Sequence, residues 1–527
     1  MLNCGISRLI KDPTENIIKT KQLSNVKIDQ LKSCEFFPVA DNICLVKIDV
    51  NCKLYIRGAV DVSSINCLLN INGKSVKTGE SVKIFSVLGC SAFYIETLNR
   101  TEHYCSINSD FNNIINKYKD NYCLFLLKSI INNQKHIYEE LKLNGIAYFP
   151  DLIKAKGLSL FPQAEKHLKC LFDQRLGDRI DRKLVIDENW KETLINENHD
   201  ESLPERIMIC GGKGFGKSTL LRYLMNKAQE LEDSPVLVDF DPGQPEMFLP
   251  GTISYNIVSD PLIGPSYTHL RTPRWSCYVG EVDVDKNVNG YLEAVLRLSE
   301  MLDRDEGLKS KRFYLINTMG YSRGIGVLFQ CAIVRAIKPT KLIILDSNLD
   351  KYKTSNFSEP LINNPVATEL LDSMNFPNYE FNCDVLRIKA PIDYVFKSIV
   401  YPENRLTASD VRRAIQVCYF ANATSKAFII HVSATDKLSP YQAGDIVVFA
   451  HKTASLHTIE FGEVLCWNCD NNELKIRTPG YLEEIFQQEN VVIVDVIRTR
   501  NIHTQWRSLE PQFNSSHQAN QIYSTVC

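Results

Sequence analysis

The sequence predicts an α/β protein whose central domain, built on a parallel sheet, is flanked by N-terminal and C-terminal β-rich domains. Three observations carry that prediction. A short apolar run, Arg206-Ile207-Met208-Ile209-Cys210, leads into a glycine-rich segment, after which Leu220, Leu221, Leu224, Met225 and Ala228 recur at helical spacing. From 206 to about 350, short apolar runs alternate with helical periods, the pattern of a parallel sheet covered by helices on both faces. On either side the period changes, with β-branched and alternating apolar positions dominating 35–100 and returning after Ala427.

Bulk composition bounds the rest. A chain of 527 residues holds about three domains of ~100–200 residues each. With 44% hydrophobic and 23% charged residues it can bury ample core, and no continuous apolar run is long enough to span a membrane. The N-terminus, Met1-Leu2-Asn3-Cys4-Gly5-Ile6-Ser7-Arg8, lacks the apolar stretch of a secretory signal. Seventeen mostly scattered cysteines suit a reducing compartment, cytosol or nucleus. A net charge of −2 gives no global pull toward nucleic acid, so any such site must be a local patch.

Taken in order, Asn42–Ile48 and Lys53–Gly58 read as strands, and Asn72-Gly73 carries the signal of a tight hairpin. They place a small β-sandwich or barrel within a β-rich domain over 1–150. Residues 101–200 are mixed, with helices expected near 110–143 and 163–175, and the polar run Asn196–Glu201 marks a boundary, so 151–205 is a connecting segment. The central domain covers 206–420. Its strands are Val236–Val238, Phe313–Ile316 and Lys341–Leu345; Val327–Ile337 is helical in period and stops before Pro339, and Ser409–Phe420 is a further helix carrying Arg412 and Arg413. The C-terminal β-rich domain, 421–527, contains Phe428–Val432, Asp445–Phe449 and Val491–Val494, with a polar tail after Thr504 expected to be mobile. Cys466-Trp467-Asn468-Cys469 has no second pair to complete a zinc site and does not open a helix, which leaves buried or incidental thiols.

The chemistry concentrates in the central domain. Gly211-Gly212-Lys213-Gly214-Phe215-Gly216-Lys217-Ser218-Thr219 fits G-x-x-x-x-G-K-[ST], the P-loop. Phosphates need backbone N–H groups packed closely around them, and glycines remove the side chains that would obstruct. Lys217 then reaches the phosphates and the Ser218 hydroxyl can ligate Mg²⁺. Val236-Leu237-Val238-Asp239-Phe240-Asp241-Pro242-Gly243-Gln244-Pro245 delivers two carboxylates to a strand's carboxyl end, where they can hold Mg²⁺ or activate a nucleophile. In Ile316-Asn317-Thr318-Met319-Gly320-Tyr321-Ser322-Arg323-Gly324-Ile325-Gly326, Tyr321 on a glycine-rich loop can stack on a base, or serve in packing. After the strand ending at Leu345 comes Asp346-Ser347-Asn348-Leu349 instead of the N-K-x-D that reads guanine, so a transferase is favoured over a switch.

These residues resemble the polynucleotide 5′-hydroxyl-kinase family, in particular its nucleolar branch of ribosomal RNA processing. The likeness runs through the P-loop, Asp239 to Glu246 as D-x-D-x-G-Q-P-E, Pro250-Gly251, Thr268-His269-Leu270-Arg271-Thr272-Pro273, and Asn317 to Gly326. It implies a P-loop kinase domain with a lid, using ATP and Mg²⁺. Lys217 and Ser218 would handle ATP phosphates and the metal, Asp241 would be the catalytic carboxylate, and Asp239 would support the metal or its water. Thr318, Gly320 and Tyr321 would form a clasp over the RNA end, with Tyr321 where tryptophan is usual. A lid arginine is implied, for which Arg412, Arg413 and Arg405 are candidates. The substrate would be RNA with a 5′-hydroxyl end, in the nucleus and nucleolus, with an endoribonuclease as partner protein. A different class remains open, an ATP-binding scaffold subunit of an RNA-processing complex with little or no kinase activity; the tyrosine and the near-neutral charge motivate it.

Overall fold

A computed structural model describes residues 34–103, 112–131, 135–146, 150, 159–174, 183–191, 193–194, 203–232, 234–321, 324–346, 365–378, 383–389, 406–421, 427–432, 441–451, 458–468, 472–479, 491–497 and 521–526. They build three sheets.

The N-terminal sheet has nine strands: β1 (Glu35–Ala40), β2 (Ile43–Ile48), β3 (Lys53–Ser64), β4 (Cys67–Ile71), β5 (Lys74–Val76), β6 (Ser81–Ser86), β7 (Tyr94–Arg100), β8 (Cys123–Ser129) and β9 (Leu171–Asp173). The long strand β3 serves two ladders. Lys53–Arg57 pairs with β7 and β9, and Gly58–Ser64 pairs with β6 and β8, so one strand joins two layers around a shared core. At the expected hairpin Asn72 has φ 50° and Gly73 φ 86°, the pair of positive angles that a two-residue turn matched to strand twist requires. That turn leans on the central domain, because Asn226 Nδ2 donates to the Asn72 carbonyl at 2.8 Å.

Two helical expectations are corrected in this part. Between the helices Asn112–Tyr118 and Lys135–Leu143 lies β8, whose run Cys-Leu-Phe-Leu-Leu is apolar without alternation. It sits between β2 and β3 and is mostly buried along its length, so neither face had to be polar. The helix expected at 163–175 is Pro162–Leu168 alone: Lys169 turns left-handed at φ 54°, and the chain continues into β9.

The central sheet runs β13-β12-β11-β14-β10-β15-β16, with β10 (Glu205–Gly211), β11 (Val236–Asp239), β12 (Thr252–Ile257), β13 (Trp275–Tyr278), β14 (Phe313–Asn317), β15 (Lys341–Asp346) and β16 (Asp384–Lys389). Five strands are parallel; β12 and β13 form an antiparallel edge and β16 the opposite edge, none of which the sequence reading contains. Along β10 the residues alternate between two cores. Met208 and Cys210 join one that includes Tyr291, Val295 and Phe329, and Ile207 and Ile209 join another that includes Leu220, Leu224 and Ile343. A strand buried on both faces must be apolar throughout, and that is why β10 reads as a continuous apolar run. The flanking helices are Lys217–Leu231, Val288–Arg304, Ile325–Ile337 and Pro365–Ser373.

The third sheet runs β21-β18-β19-β20-β17-β22, with β17 (Ala427–Val432), β18 (Ile446–His451), β19 (Thr458–Asn468), β20 (Glu473–Arg477), β21 (Val491–Ile497) and β22 (Gln521–Val526). Strand β22 pairs in parallel with β17, although the sequence there reads as a polar tail. Cys466 lies exposed on β19, and Cys469 falls outside the described residues. The helix Ala408–Ala421 opens with reciprocal bonds between Thr407 and Asp410, a capping box, and buries Ala414, Ile415, Cys418 and Tyr419 against Tyr138, Leu141, Phe248 and Phe461. It is thereby held between the N-terminal, central and C-terminal elements.

Candidate functional site

Strand β10 delivers the chain to the P-loop at the carboxyl edge of the central sheet. Gly214 and Gly216 have φ of 81° and 95°, a region where an L side chain is strained, and Gly216 caps the helix that starts at Lys217. This helix N-terminus, whose first-turn N–H groups have no partner within the helix itself, borders a cavity of about 630 Å³ together with Asp241, Gly320, Tyr321 and Arg412. Lys213 through Thr219 all line it. Lys217 is buried, and its ammonium donates to the carbonyls of Gly211 at 3.0 Å and Gly212 at 3.2 Å. Burial pulls its pKa down, and the charge of Asp241 works against that pull.

The two aspartates at the end of β11 differ in kind. Asp239 is 2% exposed and does not line the cavity. Its Oδ1 accepts from the Asp241 N–H at 3.0 Å and from Asn317 Nδ2 at 2.9 Å, and its Oδ2 accepts from the Glu246 N–H at 2.7 Å. Burial, and secondly the like charge of Asp241, push its pKa up to about 7 against those three donors. Asp241 lines the cavity, with Oδ1 accepting from the N–H groups of Gly243 and Gln244 at 3.0 and 3.1 Å. Its pKa is raised by burial and drawn back by Lys217 first and by Arg412 to a lesser degree.

The third segment divides in the same way. Thr318 is fully buried and its hydroxyl donates to the Ile209 carbonyl at 2.7 Å, which staples the loop after β14 onto β10. Gly320 and Tyr321 reach the cavity, and Tyr321 is 40% exposed at its rim. Of the candidate arginines, Arg412 lines the cavity, whereas Arg413 donates to the Asn144 carbonyl at 3.2 Å; Arg405 falls outside the described residues. Neighbours on one helix thus diverge, because positions one apart point about 100° away from each other.

Other residues on the wall carried no sequence signal. Ser91, Leu184 and Trp190 come from the N-terminal half, and Val282 through Lys286 from the segment after β13. Each is an ordinary residue far from any motif, and only the folded chain brings it to the nucleotide-sized space. Glu246 and His269 stood inside motifs without a role of their own, and they meet at 2.7 Å.

Parts of the chain are similar to known proteins. The family described as mRNA cleavage and polyadenylation factor CLP1 P-loop matches residues 211–370. The polynucleotide 5′-hydroxyl-kinase NOL9 of Drosophila melanogaster is 34% identical over 207 residues, 39% of this chain and 20% of that protein. The polynucleotide 5′-hydroxyl-kinase GRC3 of Saccharomyces cerevisiae is 31% identical over 218 residues, 38% of this chain and 33% of that protein. The chain therefore spans a fifth to a third of the length of these two curated relatives. A solved structure of the wild-type Clp1p–Pcf11p complex superposes with TM-score 0.47 at 14% identity, covering 84% of this chain and 96% of that one. Residues 211–370 of this chain thus match the Clp1 P-loop family, and the chain is similar over part of its length to polynucleotide 5′-hydroxyl-kinases.

Proposed function

We propose that this chain is an ATP-dependent polynucleotide 5′-hydroxyl kinase that phosphorylates RNA 5′ ends in pre-ribosomal RNA processing, in the nucleus and nucleolus, alongside an endoribonuclease partner. The observation that carries the proposal is the gathering of Lys217, Asp241, Arg412 and Tyr321 around one cavity at a helix N-terminus. The relatives' names support the reaction, and the P-loop supports ATP as donor. We take 1–150, 151–205, 206–420 and 421–527 as the domain limits, with β9 of the connecting segment lending a strand to the N-terminal sheet.

Each side chain then has a task. Backbone N–H groups of 213–219 cradle the phosphates, and Lys217 turns from the Gly211 and Gly212 carbonyls toward them. Asp241, whose Oδ1 is fixed by two N–H groups of its own turn, accepts the proton of the 5′-hydroxyl with its other oxygen. A carboxyl raised by burial is a stronger base than one in water, which suits that step. Ser218 Oγ is a hard oxygen donor of the kind Mg²⁺ takes, and the Asp241 carboxylate beside it would hold a water of the metal, whereas Asp239 stands off the cavity wall and already accepts three hydrogen bonds. Bound there, Mg²⁺ would neutralise charge on the phosphates. Arg412 stabilises the charge that develops on the transferred group, and Tyr321 stacks on the terminal base. Asp239 and Thr318 serve by holding Asp241 and the clasp loop in place.

Transfer of labelled γ-phosphate from ATP to a 5′-hydroxyl RNA tests this reading, with Lys217→Ala and Asp241→Asn alongside. Label on the RNA with the unaltered chain, lost in both variants, is the expected result. ATP binding without label on the RNA would sink it and move the chain to the scaffold class.

A further inference from the structure

We propose that Arg222, Glu246 and His269 form a positioning triad that fixes Asp241 against the P-loop helix. The inference rests on the kinase reading above and assigns work to two motif residues which that reading leaves idle. Glu246 is 1% exposed, and the Arg222 guanidinium grips both of its oxygens, Nε to Oε1 at 2.5 Å and Nη2 to Oε2 at 2.9 Å. His269 Nε2 lies 2.7 Å from the same Oε1. Against an ionised carboxylate this nitrogen carries the proton and donates, and burial keeps the ring neutral by lowering its pKa, opposed by Glu246. Burial pushes the Glu246 carboxyl upward, and the Arg222 charge, with His269, outweighs it and holds the group below its ordinary range.

The connection to chemistry is a chain of short bonds. Arg222 stands four residues after Ser218, so both project from one face of the helix Lys217–Leu231. Glu246 answers Arg222 with its side chain, and with its own N–H it donates to Asp239 Oδ2 at 2.7 Å. Asp239 Oδ1 accepts in turn from the N–H of Asp241 at 3.0 Å. The helix that presents Lys217 and Ser218 is thereby locked to the turn that presents Asp241. His269, from the segment after β12, adds a third direction, and Thr268 beside it is tied to the Pro265 carbonyl at 2.7 Å. A buried ion pair stabilises little relative to apolar side chains of the same shape, so what this fork supplies is orientation. A guanidinium holding two oxygens and an imidazole holding one of them leave the carboxylate a single pose.

The test is a double-mutant cycle in the full chain. Glu246→Gln removes the charge at constant shape and is expected to lower kcat about tenfold or more, with KM for ATP changed by less than about threefold. On an Asp241→Asn background, where transfer is lost, the cycle is read from Mg²⁺-dependent ATP-analogue binding, and the same change should shift it by less than about twofold, because the residue it positions is already disabled. Arg222→Lys keeps the charge, loses the fork, and should reproduce the kcat loss if Glu246→Gln fails to fold. His269→Gln should recover most of what His269→Ala loses. A second readout needs no phosphotransfer: Mg²⁺-dependent binding of a fluorescent ATP analogue. Displacing Asp241 from Ser218 should raise the Mg²⁺ concentration for half-maximal binding about threefold or more. A shift in Mg²⁺ dependence by Glu246→Gln as large on the Asp241→Asn background as in the unaltered chain would overturn the triad, as would unchanged Mg²⁺ dependence in Glu246→Gln and Arg222→Lys. If the unaltered chain transfers no phosphate, the kinase reading fails by itself, and the Mg²⁺-binding arm still decides the triad.

Discussion

Gly320→Ala is a small change with a calculable consequence. A Cβ at this position would lie 2.9 Å from Lys213 Cα, 3.0 Å from Lys213 N and 3.1 Å from Lys217 Nζ. Gly320 does not have a positive φ, so its backbone accepts alanine and only space decides. Two of those three atoms are P-loop backbone, which cannot rotate away as a side-chain tip can, so the loops must part by roughly half an ångström. Inserting a methyl into such a contact costs about 1–3 kcal/mol. Nucleotide binding needs the P-loop in its close-packed form, so strain of that size on it weakens affinity about 5- to 150-fold. Titration with a fluorescent ATP analogue measures this directly, and melting temperature with and without nucleotide shows whether the loss is confined to the loaded state. Affinity within twofold of the unaltered chain would refute the claim that the clasp loop leans on the phosphate cradle.

Four further outcomes are expected. Thr318→Val removes the bond to the Ile209 carbonyl inside a fully buried contact and should lower unfolding free energy by about 1–3 kcal/mol, read from denaturant midpoints. Arg412→Ala should cut turnover about 10³-fold with an unchanged melting curve. Arg413→Ala should instead cost about 1 kcal/mol of stability by losing its bond to Asn144, with turnover kept, and exchange of those two phenotypes would reverse the assignment. Glu460 is 1% exposed, and burial pushes its carboxyl up to about 8 from 4.5. A raised carboxyl contributes stability that is whole below its unfolded value and lost as pH rises through the folded one, at about 1.4 kcal/mol per pH unit. Between pH 5 and 7.5 that share is about 3 kcal/mol, and Glu460→Gln should remove it from the pH dependence of denaturant unfolding. A pH dependence identical in the two chains would refute it.

Legibility in the sequence followed the range of the forces involved. The P-loop, the strand ending in Asp239 and the loop after β14 are local: a run of β-branched or apolar residues makes the strand, and adjacent glycines or aspartates make its end. Their nature needs no partner from elsewhere in the chain, so Lys217, Asp241, Gly320 and Tyr321 could be named before any fold was known. β8 was hidden because, largely buried, it loses the alternation that marks a strand. The strands β12 and β13 were hidden because an antiparallel edge breaks the βα rhythm on which the central sheet was recognised.

The sequence by itself determined the nucleotide-binding core and the set of residue types able to act on phosphate. Which member of each pair faces the cavity was left to the tertiary structure. Asp239 and Asp241, Thr318 and Tyr321, and Arg412 and Arg413 are near neighbours in the chain, and each pair splits between a structural bond and the cavity wall. So, too, did the meeting of Arg222, Glu246 and His269, drawn from three segments. The physical reason is common to both. Spacing along the chain fixes direction only within one element, whereas burial and hydrogen-bond partners are set by elements that arrive from far away in sequence.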